Sequence, residues 1–244
     1  MLRKLWSNFV SLIARMAGLR QERAHHFYHG ALGASSLVVD LGTHKGEFSR
    51  FVTAEYGCSV LGLEANPHLY EVLPTLPRAR FMNLAISRED SPVVFNVSDN
   101  VEASSVIEEM AQSFGSSTKV TVAGITLDSL FDKNIITSVD LLKVDIESSE
   151  FQMLEMASSE ALTKAAQITV EFHLKAGSKE YSAERVMTIS KRLGQLGFRT
   201  FVMDRDYTDV LFLNPNRIPL KFTQRIALAI YSSIIMPARM LTKK

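Results

Sequence analysis

Three charged residues at alternate positions, Lys143, Asp145 and Glu147, close the apolar run that begins at Val139. Alternation along a strand would set all three on one side, at its end. A second run, Gln167-Ile168-Thr169-Val170-Glu171-Phe172-His173, finishes the same way, with Glu171 and His173 sharing a side. Charges grouped at strand ends fit poorly in a core, because unpaired burial is costly. In open α/β sheets, ligands sit beyond the carboxyl ends of the strands. These five residues are therefore the candidate catalytic set. His173 is the best proton acceptor by intrinsic pKa, with Asp145 or Glu147 next. A structural ion cluster is the plainer account of the same residues. In a further account, Asp145 and Glu147 hold a divalent cation, but two acids on one strand make an incomplete oxygen site. No metal is assigned.

The elements that would position this set begin at Leu37-Val38-Val39, a run with the length and β-branching of a buried parallel strand. It ends on Asp40 and breaks into a turn holding Gly42, Thr43, His44 and Gly46, after which Phe48, Phe51 and Val52 recur at helical spacing. Glycines let backbone approach a ligand, and a helix start offers free N–H groups. The next apolar run, Val60 to Leu63, ends on Glu64, followed by Ala65 and Asn66. An acid at the tip of the second strand commonly accepts ribose hydroxyls. Phe81 to Ile86 reads as the third strand and its exit, which makes Asn83 and Ala85 candidate adenine neighbours. Asp145 belongs to this cofactor-binding set as well as to the catalytic one.

The spacing separates two adenosine cofactors. A dinucleotide site calls for G-x-G-x-x-G, whereas this turn reads G-T-H-K-G with His44 where the middle glycine would fall. S-adenosylmethionine (SAM) has no phosphate to cradle, and His is among the residues enriched at positive φ. SAM is favoured over NAD on this turn and Glu64 together. A turn serving only tight strand–helix packing remains the plain alternative.

Size and composition fit one large α/β unit. The 244 residues are 46% hydrophobic and 22% charged, with 27 Lys and Arg against 26 Asp and Glu. No global field argues for nucleic acid. The lone Cys58 excludes an intrachain disulfide and multi-cysteine metal sites, and fits a reducing, cytoplasmic compartment. Helix Ala183 to Leu196, then Phe198–Met203 and Asp209–Leu213, predict a C-terminal antiparallel hairpin on a mostly parallel, seven-stranded Rossmann-like sheet. The expected domain spans 31–215, with an insert at 87–138 that carries extra strands near Val93–Val97 and Val120–Ile125 and a helical turn at Thr126–Phe131. Inserts on the ligand side of a sheet often shape substrate binding.

The ends differ from the middle. Residues 1–30 open on an amphipathic stripe, Leu2, Leu5, Phe9, Leu12, Met16 and Leu19, with Arg3, Lys4 and Arg15 opposite. Residues 216–244 hold an apolar stretch, Phe222 to Met236, bracketed by basic residues. Both are too short to span a bilayer. Peripheral contact with the inner face of a membrane, or packing as a homodimer face, is expected of them. His25 and His29 stand one helical turn apart with no acid nearby in sequence, and read as a solvated or aromatic-stacked cluster.

Taken in order, these segments resemble the FkbM family of methyltransferases from about Leu37 to Leu213. The motifs are Val39-Asp40-Leu41-Gly42 with Gly46, Glu64-Ala65-Asn66-Pro67, Asn83-Leu84-Ala85-Ile86-Ser87, Ser104-Ser105, Thr126-Leu127-Asp128, Asp140 to Glu147, and Glu171-Phe172-His173. The resemblance implies SAM-dependent O-methylation, often of sugar or polyketide hydroxyls, and a small-molecule or glycan acceptor. The chain departs from the family at Ser148-Ser149, where Gly-Ala is usual, and at His44, often Asn. An NAD-linked oxidoreductase and a non-catalytic scaffold on a membrane or partner are the rival functions.

Overall fold

The computed structural model describes residues 2–98, 117–175 and 177–237. The chain opens with α1 (Leu2–Met16) and an antiparallel pair, β1 (Leu19–Glu22) and β2 (His25–Tyr28). An alternating half follows: β3 (Leu37–Leu41), α2 (Glu47–Tyr56), β4 (Ser59–Leu63), α3 (Pro67–Glu71) and β5 (Ala79–Met82). The insert contributes β6 (Ala85–Ile86), β7 (Val93–Ser98), β8 (Ser117–Val122), β9 (Gly124–Ile125) and α4 (Leu127–Lys133). The second half holds β10 (Leu141–Val144), α5 (Glu150–Met156), α6 (Ser159–Thr163), β11 (Gln167–Glu171), α7 (Ala183–Gln195), β12 (Arg199–Val202) and β13 (Asp209–Leu213). Last comes α8 (Phe222–Ile230), which runs into a π-helical segment, Tyr231–Ile235.

Seven strands form one mixed sheet in the order β12-β13-β11-β10-β3-β4-β5. The five from β5 to β11 pair in parallel, and β13 runs antiparallel between β11 and β12. The order reverses between β3 and β10, which are neighbours, and a crevice opens at such a switch. Alternation sorts the β-branched and leucine side chains to two faces. Val39, Leu41, Leu142, Val144, Ile168 and Val170 share the larger core with Leu130, Phe151, Leu154, Ile189 and Leu193. Val38, Val60 and Leu141 turn the other way, onto Phe27, Phe48 and Val52. A third cluster fixes the chain ends. Val10, Ile13 and Ala17 of the N-terminal region and Leu228, Tyr231 and Ile235 of the C-terminal helix pack with Phe201, Leu211 and Leu213.

Three expectations need correction, and the placement of α1 adds a finding. His25 to Tyr28 is a strand rather than a helical turn and His29 lies past its end, so His25 is buried whereas His29 is exposed, beside the Tyr28 and Tyr56 rings. In α1 the stripe read from the sequence faces outward, and a second apolar side packs on the protein. Leu5 (55%), Phe9, Leu12 and Met16 are exposed while Val10, Ile13 and Ala17 are buried, because the smaller residues let the helix lie close to the sheet. The third strand stops at Met82; Ala85–Ile86 leaves the main sheet and pairs with Gly124–Ile125. The fourth strand stops at Val144, so Glu147 reaches the site through a turn and not by strand alternation. The extra strands of the insert form an antiparallel pair, β7 with β8. Ser104 and Ser105 lie outside the described residues.

Candidate active site

A cavity of about 620 Å³ opens beyond the carboxyl ends of β3, β4, β10 and β11. That volume lies within the range of small-molecule and cofactor pockets. Its floor is the turn after β3. Gly42 has φ +78°, and a Cβ there would stand 1.7 Å from the Asp145 carbonyl oxygen, so no side chain fits. The N–H groups of Gly42 and Thr43 both donate to the Leu63 carbonyl, at 3.0 and 2.9 Å. The Thr43 hydroxyl donates to Leu63 O and Asp40 O, tying the first two strand tips together. His44 follows in the left-handed region at φ +54°, a conformation His tolerates better than most residues.

Glu64 follows β4 and lines the cavity, only 6% exposed. The His44 N–H donates to its Oε2 at 2.6 Å and the Asn66 N–H to its Oε1 at 2.8 Å. Burial nevertheless pushes this carboxyl up to about 7. Each oxygen retains a second lone pair for a ligand hydroxyl. Asn66 caps α3 by accepting from the His68 N–H at 3.0 Å, with Pro67 suited to the first helical position. Asn83 stands behind the wall, its amide donating to Glu64 O and Ala65 O, and so fixes the backbone that presents Glu64. Ala85 lines the cavity directly.

Lys143 joins the floor to the rim. It is 3% exposed, and its Nζ donates to Gly42 O at 2.5 Å. The same nitrogen stands 3.2 Å from Asp40 and 3.4 Å from Asp145. Burial alone would lower its pKa, but the two carboxylates hold it above the usual lysine range. Burial would likewise raise Asp145, yet Lys143, His25 and His173 hold it below the usual carboxylate range. Asp40, fully buried, also accepts from the Ser49 hydroxyl at 2.6 Å and stands behind the turn, outside the cavity. Gly46 likewise stands behind the wall, opening α2 at φ +75°.

The rim is an acid–imidazole line. His173 Nδ1 lies 2.9 Å from Glu150 Oε1, and its Nε2 lies 3.2 Å from Glu147 and 3.9 Å from Asp145. Glu150 is fully buried at the start of α5, where the N–H groups of Ile146 and Ser148 donate to its Oε1. Burial disfavours the imidazolium, but Glu150, Glu147 and Asp145 outweigh it and raise His173 to about 10. Glu147 is pushed up to about 8, chiefly by burial. Burial and the Asp145 charge also raise Glu171. Glu147 and Ser148 both adopt the left-handed region, at φ +52° and +80°. Ser148 thus keeps the conformation a glycine would favour, and its hydroxyl is buried without a hydrogen-bond partner.

Two participants carry no signal in the sequence that marks them for the site. Glu150 reads there as an ordinary first-turn acid, a common helix-start preference. His25 is brought in by β2, far away in the chain. It is 2% exposed and lines the cavity, with Nε2 3.5 Å from Asp145 and 4.0 Å from Glu171. The acids absent from its sequence neighbourhood are supplied by folding. Asp145 therefore sits between two histidines, and each set, His25–Asp145–Glu171 and Asp145–Glu147–His173, has its donor atoms within 4.8 Å of one another. Lys143 and the His173 imidazolium supply positive charge to these acids from the chain itself. Of the residues expected from sequence, Gly42, Thr43, His44, Glu64, Ala65, Asn66, Ala85, Lys143, Asp145, Glu147, Glu171 and His173 line one cavity.

Comparison with known proteins places this arrangement. A family model described as the methyltransferase FkbM domain matches residues 40–199. No curated protein matches the chain. Among solved structures, a TehB-like SAM-dependent methyltransferase from Corynebacterium glutamicum is 13% identical, with 87% of this chain and 96% of that one covered at a TM-score of 0.36. A SAM-dependent methyltransferase from Aquifex aeolicus is 13% identical, covering 75% and 82% at 0.36. Aeropyrum pernix fibrillarin with natively bound SAM is 10% identical, covering 82% and 72% at 0.39. At these scores the family match alone carries the assignment, and it decides for methyl transfer over hydride transfer. The chain belongs to the FkbM methyltransferase family, and its cofactor is S-adenosylmethionine.

Proposed function

We propose that the chain methylates a hydroxyl group, on a saccharide or comparable small acceptor, within a class I methyltransferase sheet closed by an antiparallel hairpin. The observation that carries this reading is the Glu150–His173–Glu147 line at the cavity rim. A hydroxyl is a poor nucleophile until its proton leaves, so such a reaction calls for a placed proton acceptor.

The residues present fit the cofactor. Gly42, where a Cβ would collide with the Asp145 carbonyl, keeps the cavity floor bare backbone, Glu64 offers lone pairs for ribose hydroxyls, and the acids of the rim suit a sulfonium cation. Asp145 and Ala85 complete that side of the pocket. When bound, S-adenosylmethionine supplies an electrophilic methyl carbon. Proximity and alignment can then provide much of the acceleration. With the methyl carbon supplied by the cofactor, the acceptor hydroxyl would give up its proton to His173 Nε2, which the Glu150 contact aims at the cavity rim. Glu150 fixes the imidazole through Nδ1 and stabilises the imidazolium that results. The site's own proton must leave His173 first, so the reaction is expected to speed up with rising pH. Lys143 holds the Gly42 turn and Asp145 in register, and Glu171 sets the far wall beside His25.

The test is turnover of labelled SAM against a panel of saccharide acceptors, with His173→Asn beside the native protein. Turnover should fall by about 10²–10⁴ while SAM affinity is preserved. Near-normal turnover would remove His173 from this role. Loss of native turnover with a chelator would give the role to a bound cation.

A further inference from the structure

Eight of the fourteen large apolar side chains left exposed on the described surface belong to the two terminal helical segments. On α1 these are Leu5, Trp6, Phe9, Leu12 and Met16; on the C-terminal segment they are Phe222 (77% exposed), Ile226 and Ile234. Both segments are already anchored by their opposite sides, through Ile13, Ala17, Leu228 and Tyr231, so the outward apolar side has no role in the core. The two helices also pack against each other. Clustered exposure of this kind marks an interaction surface.

Charge decides what covers it. Neither α1 nor the segment Phe222–Ile235 contains an Asp or Glu, although the chain has 26 of them. Arg15, Lys221 and Arg225 are exposed on or beside these helices. A symmetric pairing of two copies would set the same basic, acid-free face against itself, bringing like charges together without compensation. A bilayer carrying anionic headgroups compensates them. Trp and Phe beside basic residues are the side chains that settle at the headgroup boundary. No helix of the described residues is long and apolar enough to cross a membrane, so the helices would lie along the surface.

We propose that the outward face of α1 and α8 docks on an anionic lipid surface, with its apolar side chains at the acyl boundary and Arg15, Lys221 and Arg225 among the headgroups. The chain carries its own probe, since Trp6, the only tryptophan, is exposed on α1 with its ring 5.8 Å from that of Phe9 on this face. The full-length protein is titrated with vesicles of phosphatidylglycerol mixed with phosphatidylcholine, and with pure phosphatidylcholine. The expected result is a blue shift of Trp6 emission and co-sedimentation with the anionic vesicles only, reversed by salt. Leu5→Ser, Leu12→Ser and Phe222→Ser combined should weaken partitioning about tenfold or more, while SAM binding is retained. Arg15→Glu with Lys221→Glu, which leaves the apolar contacts alone, should weaken it as well. No shift with anionic vesicles, an equal shift with the neutral ones, or unaltered binding by the charge-reversed protein would each overturn the proposal. So would a shift that appears without lipid as protein concentration rises, with sedimentation showing dimers.

Discussion

Among individual residues, His173 carries the most consequence. It is raised to about 10 because Glu150 holds one ring nitrogen while Glu147 and Asp145 face the other. Only the neutral imidazole accepts a proton, so activity should climb as pH rises from 7 toward 10. Glu150→Gln removes one negative charge at 2.9 Å and keeps an oxygen for the Ile146 and Ser148 N–H groups. Its His173 resonance, followed by NMR of labelled histidine, should titrate about one unit lower or more, and the rising limb of activity should move down with it. An unchanged titration would show that Glu150 only packs there. His173, Glu171 and Asp145 are legible in the sequence because a charge at the end of an apolar strand seldom serves the core. Glu150 is not, since an acid in a helix's first turn needs no partner to be favourable. The pKa of His173 is not legible either: intrinsic pKa predicts a neutral imidazole near pH 7, and the flanking acids become visible only once α5 is placed.

Among elements, the parallel strands are the most legible, because strands buried on both faces read as continuous apolar runs. The pair β1–β2 is not. Arg20, Gln21 and Glu22 show no apolar alternation, and what pins β2 is a side chain: Gln167 accepts from the Tyr28 N–H at 2.8 Å and donates to the Tyr28 carbonyl at 3.0 Å. Gln167 is fully buried, so these backbone groups have no access to water in exchange. Gln167→Ala should therefore cost about 2–4 kcal/mol in denaturant unfolding, for two buried groups left unpaired. A loss under about 0.5 kcal/mol would mean that β2 is held by its apolar contacts alone. The same change loosens the strand that delivers His25 to Asp145. Helix α1 illustrates a different limit. Periodicity locates the helix, but not which of its two apolar sides meets the protein, because Val10, Ile13 and Ala17 offer closer packing than the bulkier stripe beside them.

In the molecule as a whole, one cavity gathers residues from both halves of the sheet, from the turn after β3 to the exit of β11, and the N-terminal hairpin closes its side. The family and the cofactor follow from the order of those motifs, which is why the sequence already carries them. The acceptor does not, since it depends on the cavity's outer wall, where the insert and the N-terminal hairpin meet the site. In the proposed reading cofactor binding would turn on Glu64, whose buried carboxyl group shapes the His44–Asn66 loop by accepting from both N–H groups and keeps lone pairs facing the cavity. The most direct measurement is calorimetric titration of SAM, S-adenosylhomocysteine and NAD into the native protein and Glu64→Ala. One SAM per chain should bind, NAD should not, and the variant should bind SAM about tenfold or more weakly, as expected for a lost charged acceptor. Equal SAM affinity in a folded Glu64→Ala protein, or preference for NAD, would contradict a SAM site built on Glu64.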